Sequence, residues 1–197
     1  MSKISGSEAI QMLVEGNKRF ASGNLAVKDL GQERRDELVT KGQKPFAAVL
    51  TCSDSRVPPE LLFDQALGDI FVIRNAGNVV DPVTLGSVEY AVEHLGTPIV
   101  VVLGHEKCGA VQATVGGGEA PGSIAAIVNK IKPSLHKAEQ TGAKGSALCE
   151  ATCDENIKSA IADLEKSPII EHFIKDGKVK VIGAKYYLSS GKVIFDV

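Results

Sequence analysis

Residues 98–105 read PIVVVLGH, an apolar run of strand length with no polar alternation. A strand with that pattern can offer neither face to water. It belongs inside a parallel sheet covered by helices on both sides. FAAVLTC, which follows Pro45, and GDIFVIRN at 68–75 have the same character, the second rich in β-branched and aromatic residues. Helical patterns alternate with these runs. Thr84 is placed to cap a helix whose Leu85, Val88, Val92 and Leu95 share one face and which Gly96 ends. Further helical patterns begin at Gly109, run from Ser123 to Gln140, and run from Glu150 to Glu165. KVKVIGAKYY then meets GKVIFDV across the turn signal SSG, which adds an antiparallel edge. The expected fold is therefore α/β: a central, mostly parallel β-sheet flanked by helices, with an antiparallel edge strand and an N-terminal helical arm.

The arm is read from Ser5 and Glu8, spaced as a capping box, with Ile10, Leu13 and Phe20 on one side of the helix that follows. A second, charged helix is expected over GQERRDELVTK at 31–41. The chain is read as one domain over 1–197, with 1–42 as an arm expected to pack on a partner subunit. A hydrophobic content of 44% over 197 residues suits a single core. The net charge of −2 leaves no broad basic field, so nucleic acid is not an expected partner. MSKISGSEAI has no apolar stretch of the secretory kind, and no run is long enough to cross a bilayer. The expected location is cytoplasmic, with no membrane partner. TVGGGEAPGS at 114–123 follows no expected strand and lacks the lysine and hydroxyl of a phosphate loop, so it reads as a connector.

The four cysteines are too few for a disulfide scaffold at this length and read as metal ligands, reactive thiols or core residues. In TCSDSRVPPE (51–60), alternation along an extended chain would project Cys52, Asp54 and Arg56 together where the first apolar strand ends. Taken alone, that spacing also fits a buried cysteine beside a surface ion pair. GHEKCGAV (104–111) adds His105 and Cys108, three apart at the end of another apolar strand. Ligands of open α/β sheets bind beyond the carboxyl ends of strands, so neighbouring strands would assemble Cys52, His105 and Cys108 there. Three such ligands with a vacant fourth position are the pattern of a catalytic zinc, and thiolates favour zinc over magnesium or calcium. Cys149 and Cys153 read as packed or partly exposed thiols of one helix, and His94, His136 and His172 as capping or surface residues.

CSDSRVPPE, RNAGN (74–78) and GHEKCGAV together resemble the β class of carbonic anhydrases, in its plant-type-like branch. GSVEYAVEHLG, the proline-led SPII helix and the closing YYLSSGKV follow the same pattern, so the resemblance runs from Asn17 to the C-terminus. It implies a lyase (carbonate dehydratase) with one Zn2+ per chain that hydrates CO2 reversibly to bicarbonate and a proton by attack of zinc-bound hydroxide. It also implies a homodimer as the minimal unit, with tetramers or larger assemblies built on the same motifs. By match, Cys52, His105 and Cys108 are the zinc ligands, and Asp54 with Arg56 is the catalytic dyad beside the metal. The resemblance implies as well a second state at lower pH, in which Asp54, released by Arg56, closes onto the metal. Gln43 matches a substrate-binding glutamine that acts across the dimer interface. Phe71 and Tyr90 match pocket walls, Ala76 stands where many members carry valine, and Gly109 follows the last ligand. The chain has no Trp, whereas the bicarbonate-regulated branch uses one in the first strand. Two alternatives stand beside this reading. One is a carbonyl sulfide or carbon disulfide hydrolase on the same scaffold. The other is a non-enzymatic zinc or redox thiol module using Cys52, Cys108, Cys149 and Cys153.

Overall fold

The computed structural model describes residues 4–195, so Met1–Lys3 and the last two residues of the expected GKVIFDV strand lie outside the described residues. The chain begins with α1 (Gly6–Ser22), where Ser5 and Glu8 form the expected capping box. The charged α2 (Gln32–Lys41) buries none of its residues. Next come β1 (Ala47–Cys52), the short α3 (Pro59–Leu62), β2 (Ile70–Asn75), a single 3-10 turn at Ala76–Asn78, and α4 (Pro82–Glu93). After β3 (Ile99–His105) the chain forms α5 (Gly109–Gly116), α6 (Ile124–Glu139), α7 (Ser146–Glu165) and α8 (Pro168–Lys175). It closes with β4 (Lys180–Tyr187) and β5 (Lys192–Phe195).

The five strands order as β2-β1-β3-β4-β5, all parallel except the β4–β5 pair. Every residue of β1 and of β3 is buried, as their unbroken apolar runs require. Alternate residues serve two cores. Ala47, Val49, Ile99, Val101 and Leu103 pack with Ala9 and Leu13 of α1 on one face. Ala48, Leu50, Val100 and Val102 pack with Val88, Val111, Ile131, Ile157 and Ile170 from the helices on the other. Each fully buried aliphatic side chain contributes about 1.5–3 kcal/mol, so the two central strands anchor the molecule. Strand order reverses between β1 and β3, and a ligand of an open α/β sheet binds at such a switch point.

Three boundaries differ from the sequence reading. Asp81, and not Thr84, caps α4: its carboxylate accepts the Thr84 N–H at 2.7 Å, and Pro82 takes the first helical position. Proline there has its φ preset and has no N–H to leave unpaired. The Thr84 hydroxyl accepts instead from Asn75 Nδ2 at 2.9 Å. The short α3, for which the sequence reading has no helix, opens at Pro59 in the same first position. The helix expected from Glu150 begins at Ser146, directly after Gly145 at φ 56°.

Within the N-terminal arm, α1 lies against α3 and β5 of its own chain. Asn17, buried on α1, joins the two ends of the molecule. Its Nδ2 donates to the carbonyls of Leu62 (3.1 Å) and Gly191 (3.0 Å), and its Oδ1 accepts the Val193 N–H at 2.8 Å. Asn17→Ala strands all three backbone groups away from ready partners, at about 1–3 kcal/mol for each that water cannot reach. A stability loss of at least about 2 kcal/mol is expected, read from urea unfolding at fixed protein concentration.

Candidate metal centre

The register of the sheet brings the two cysteine motifs together. Thr51 pairs with Leu103 across β1 and β3, and its hydroxyl donates to the Leu103 carbonyl at 2.8 Å. Cys52 ends β1 one residue later, and His105 ends β3 two residues beyond Leu103. The chain then turns through Glu106 and Lys107, the latter at φ 54°, so that Cys108 stands as the N-terminal cap of α5. Cys52, His105 and Cys108 are all buried, and one ligand atom from each lies within 4.8 Å of the others.

The protonation pattern fits a cation. His105 Nδ1 lies 2.9 Å from the Glu106 carbonyl, which can only accept, so Nδ1 carries the proton. Nε2 is left with its lone pair free, and this atom is buried without a hydrogen-bond partner among the described residues. A histidine fixed in this tautomer by a carbonyl is the arrangement that presents Nε2 to a metal. Beside it, the neighbouring Cys108 thiol draws the Cys52 thiol well below the ordinary thiol value, and the same closeness together with burial pushes Cys108 up. The pair releases its first proton readily and keeps its second until a positive charge replaces it. Thiolate, imidazole and thiolate suit zinc.

Asp54 and Arg56 do converge on this group, though not by strand alternation. The strand stops at Cys52, and the chain folds back in a turn at Ser55 and Arg56. Arg56 closes that turn with three bonds to one carboxylate: its backbone N–H and Nε to Oδ1 (both 2.9 Å) and Nη2 to Oδ2 (2.7 Å). The Arg56 hydrogen bonds outweigh the cost of burial and hold Asp54 down to about 2. Asp54 Oδ2 faces His105 Nε2 at 3.9 Å, so the carboxylate looks into the space that Cys52, His105 and Cys108 enclose. Arg56 Nη2 also reaches the Lys107 carbonyl at 3.4 Å, linking the Asp54–Arg56 pair to the segment between His105 and Cys108.

The model of a family described as carbonic anhydrase matches residues 47–193, which includes all five of these side chains. A carbonic anhydrase of Mycolicibacterium smegmatis is 41% identical over 190 residues, spanning 94% of this chain and 90% of the relative. Carbonic anhydrase 2 of Mycobacterium tuberculosis is 37% identical with the same coverage. Among solved structures, the β-carbonic anhydrase CcaA superimposes with a TM-score of 0.76 at 27% identity, covering 94% of both chains. The β-carbonic anhydrase CafA of Aspergillus fumigatus gives a TM-score of 0.76 at 26% identity, covering 94% of this chain and 89% of that one. This chain belongs to the β-class carbonic anhydrases.

The remaining residues matched to that class are more scattered. Phe71 and Tyr90 meet with ring centroids 6.1 Å apart, and Tyr90 is half exposed. Ala76 opens the 3-10 turn and Gly109 opens α5 immediately after Cys108. Gln43 lies exposed before β1 and makes no side-chain hydrogen bond among the described residues. Cys149 and Cys153 stay outside the three-ligand group, Cys153 buried and Cys149 partly exposed. Burial pushes the Cys153 thiol up to about 12. His94, His136 and His172 are exposed, as expected of capping or surface residues.

Sequence reasoning missed two contributors. Arg74 donates from Nε to the Cys52 carbonyl (3.0 Å) and from Nη2 to the Asp54 carbonyl (2.6 Å), pinning the backbone on both sides of Ser53. Gly77 donates its N–H to Cys52 Sγ at 3.4 Å. It does so at φ 78°, where a Cβ would sit 2.9 Å from Ile131 Cδ1, so only glycine fits without strain. Both lie in RNAGN at the end of β2, beside β1, and that juxtaposition was the available signal.

No helix among the described residues is long and apolar enough to cross a membrane.

Proposed function

We propose that the protein catalyses the reversible hydration of CO2 to bicarbonate and a proton, with one Zn2+ per chain held by Cys52, His105 and Cys108. The observation that carries this reading is the buried, partnerless Nε2 of His105 facing two thiols, with an Arg56-locked carboxylate 3.9 Å away. When bound, the ion supplies Lewis acidity that makes water a nucleophile near neutral pH.

The chain's own groups do the rest. Two thiolates offset much of the dication's charge, so orientation of the attacking oxygen matters more than in an all-histidine site. Asp54 accepts a hydrogen bond from that oxygen and turns its lone pair toward carbon. Arg56 occupies both Asp54 oxygens and keeps them ionised and aimed. Phe71, Tyr90, Ala76 and Gly109 form the walls that hold CO2 and keep bulk water from it. Gln43 and the unburied α2 serve the neighbouring subunit of a homodimer, Gln43 as a donor to the bicarbonate oxygens.

Metal analysis paired with stopped-flow CO2 hydration tests the proposal. One zinc per chain, hydration abolished by chelation and restored by zinc, and little sulfide released from carbonyl sulfide or carbon disulfide is the expected result. Zinc-replete protein that releases sulfide but does not hydrate CO2 would overturn it.

A further inference from the structure

Helix α7 touches the backbone of the segment that carries His105 and Cys108, and it reaches Cys52 through Gly77. Glu150, Cys153 and Asn156 recur three residues apart, on successive turns of one side of the helix. Glu150 Oε1 accepts the Lys107 N–H at 3.2 Å, between His105 and Cys108. The Cys153 thiol donates to the His105 carbonyl at 3.3 Å. Asn156 Nδ2 donates to the Gly77 carbonyl at 2.8 Å, and Gly77 in turn donates its N–H to Cys52 Sγ.

The close approach is built in. A Cβ on Gly104, next to His105, would lie 2.6 Å from Ile157 Cδ1 and 3.3 Å from Cys153 Sγ, so a side chain there would force these α7 side chains to shift. Lys185, buried on β4 and paired in register with Gly104, clamps the helix from the other direction. Its Nζ binds Glu150 Oε2 at 2.8 Å and Asp154 Oδ1 at 2.7 Å. A buried ammonium is costly unless paired, and here both partners come from α7.

We propose that α7 is the template on which the metal site is set, with Glu150 and Cys153 as positioning residues for the backbone from His105 to Cys108 and Asn156 as the positioning residue for Gly77 against Cys52. Cys153 thereby gains a role as a thiol donor, neither a fourth ligand nor a redox partner. The inference rests on Cys52, His105 and Cys108 being the zinc set. Outer groups that hold ligand residues in place typically change metal affinity about 10- to 100-fold when lost.

The test uses the full-length protein loaded with zinc or cobalt. Zinc release to an excess of chromophoric chelator is timed, and the thiolate-to-cobalt absorption bands are recorded. Cys153→Ala should release zinc roughly 10- to 100-fold faster and shift the cobalt bands. Cys153→Ser, which keeps a donor, should return both toward wild type. Asn156→Asp keeps the size and removes the donor, and should also speed release. Cys149→Ala, one turn away on the same helix and outside these contacts, should change neither. Wild-type release and spectra in both Cys153→Ala and Asn156→Asp would overturn the inference, as would an equal effect from Cys149→Ala. A wild-type chain that takes up no metal would instead overturn the ligand set beneath it, and the two failures are told apart at the loading step.

Discussion

Cys52→Ser is expected to leave a folded protein that holds no zinc and hydrates CO2 at least about a thousandfold more slowly. The size follows from what the ion supplies: several kcal/mol of stabilisation for developing charge, with each 1.36 kcal/mol worth about a factor of ten. Serine nearly matches the shape of cysteine, so the buried end of β1 should survive, and its hydroxyl can still accept the Gly77 N–H. What it cannot do is ionise near neutrality, whereas the neighbouring Cys108 draws the Cys52 thiol well below the ordinary thiol value. Circular dichroism, metal analysis and stopped-flow hydration on one preparation measure all three consequences. The same measurements on Cys149→Ser decide against a four-thiol store or switch if zinc and turnover stay near wild type. Retained zinc and turnover in Cys52→Ser would remove Cys52 from the ligand set.

The meeting of Cys52, His105 and Cys108 was legible because its parts lie at strand ends. Unbroken apolar runs identify β1 and β3 as central strands, central parallel strands are neighbours, and motifs at their carboxyl ends must therefore meet. Asp54 and Arg56 were found for a reason the fold does not use: alternation predicts a shared face, but the strand ends at Cys52 and a bidentate ion pair folds the turn. Residues of unlike charge two apart can produce either geometry, and spacing alone does not separate them. Asn156 was invisible for a different reason. Its partner Gly77 is 79 positions away, and a side chain that binds a distant carbonyl leaves no periodicity or spacing to read. The cap of α4 was misplaced by three residues because Asp81 and Thr84 are both good caps. Pro82 decides between them only once its first-position role is recognised. Tyr90 is half exposed, and no spacing or periodicity within the chain marks such a residue for a role.

Arg56→Ala should separate the dyad from the metal, with zinc retained at one per chain and hydration reduced about 100-fold, the scale on which a preorganised charged hydrogen bond acts in a transition state. Arg56 contributes two side-chain bonds to Asp54 and none to a ligand atom, so its loss leaves Cys52, His105 and Cys108 in place. Asp54 is affected in two ways. Its carboxyl, held down to about 2 chiefly by those bonds, rises toward the ordinary value near 3.9. It also becomes free to turn through the 3.9 Å that separates it from His105 Nε2 and to compete for the cation. The sign of the pH effect follows. In the wild type the stabilisation from the pair is complete above about pH 4 and is lost as pH falls toward 2, because the folded-state value lies below the unfolded one. In the variant that contribution is absent at every pH, so the fall in stability between pH 4 and 2 flattens. Across the neutral range the freed carboxylate competes with hydroxide, so the residual hydration should rise more steeply with pH than in wild type. Arg56→Lys, which supplies charge without the two-pronged fork, should fall between the two. Turnover near the wild-type level in Arg56→Ala would overturn the dyad's role, and zinc loss matching that of Cys52→Ser would show that Arg56 acts by holding the ligands instead of the carboxylate.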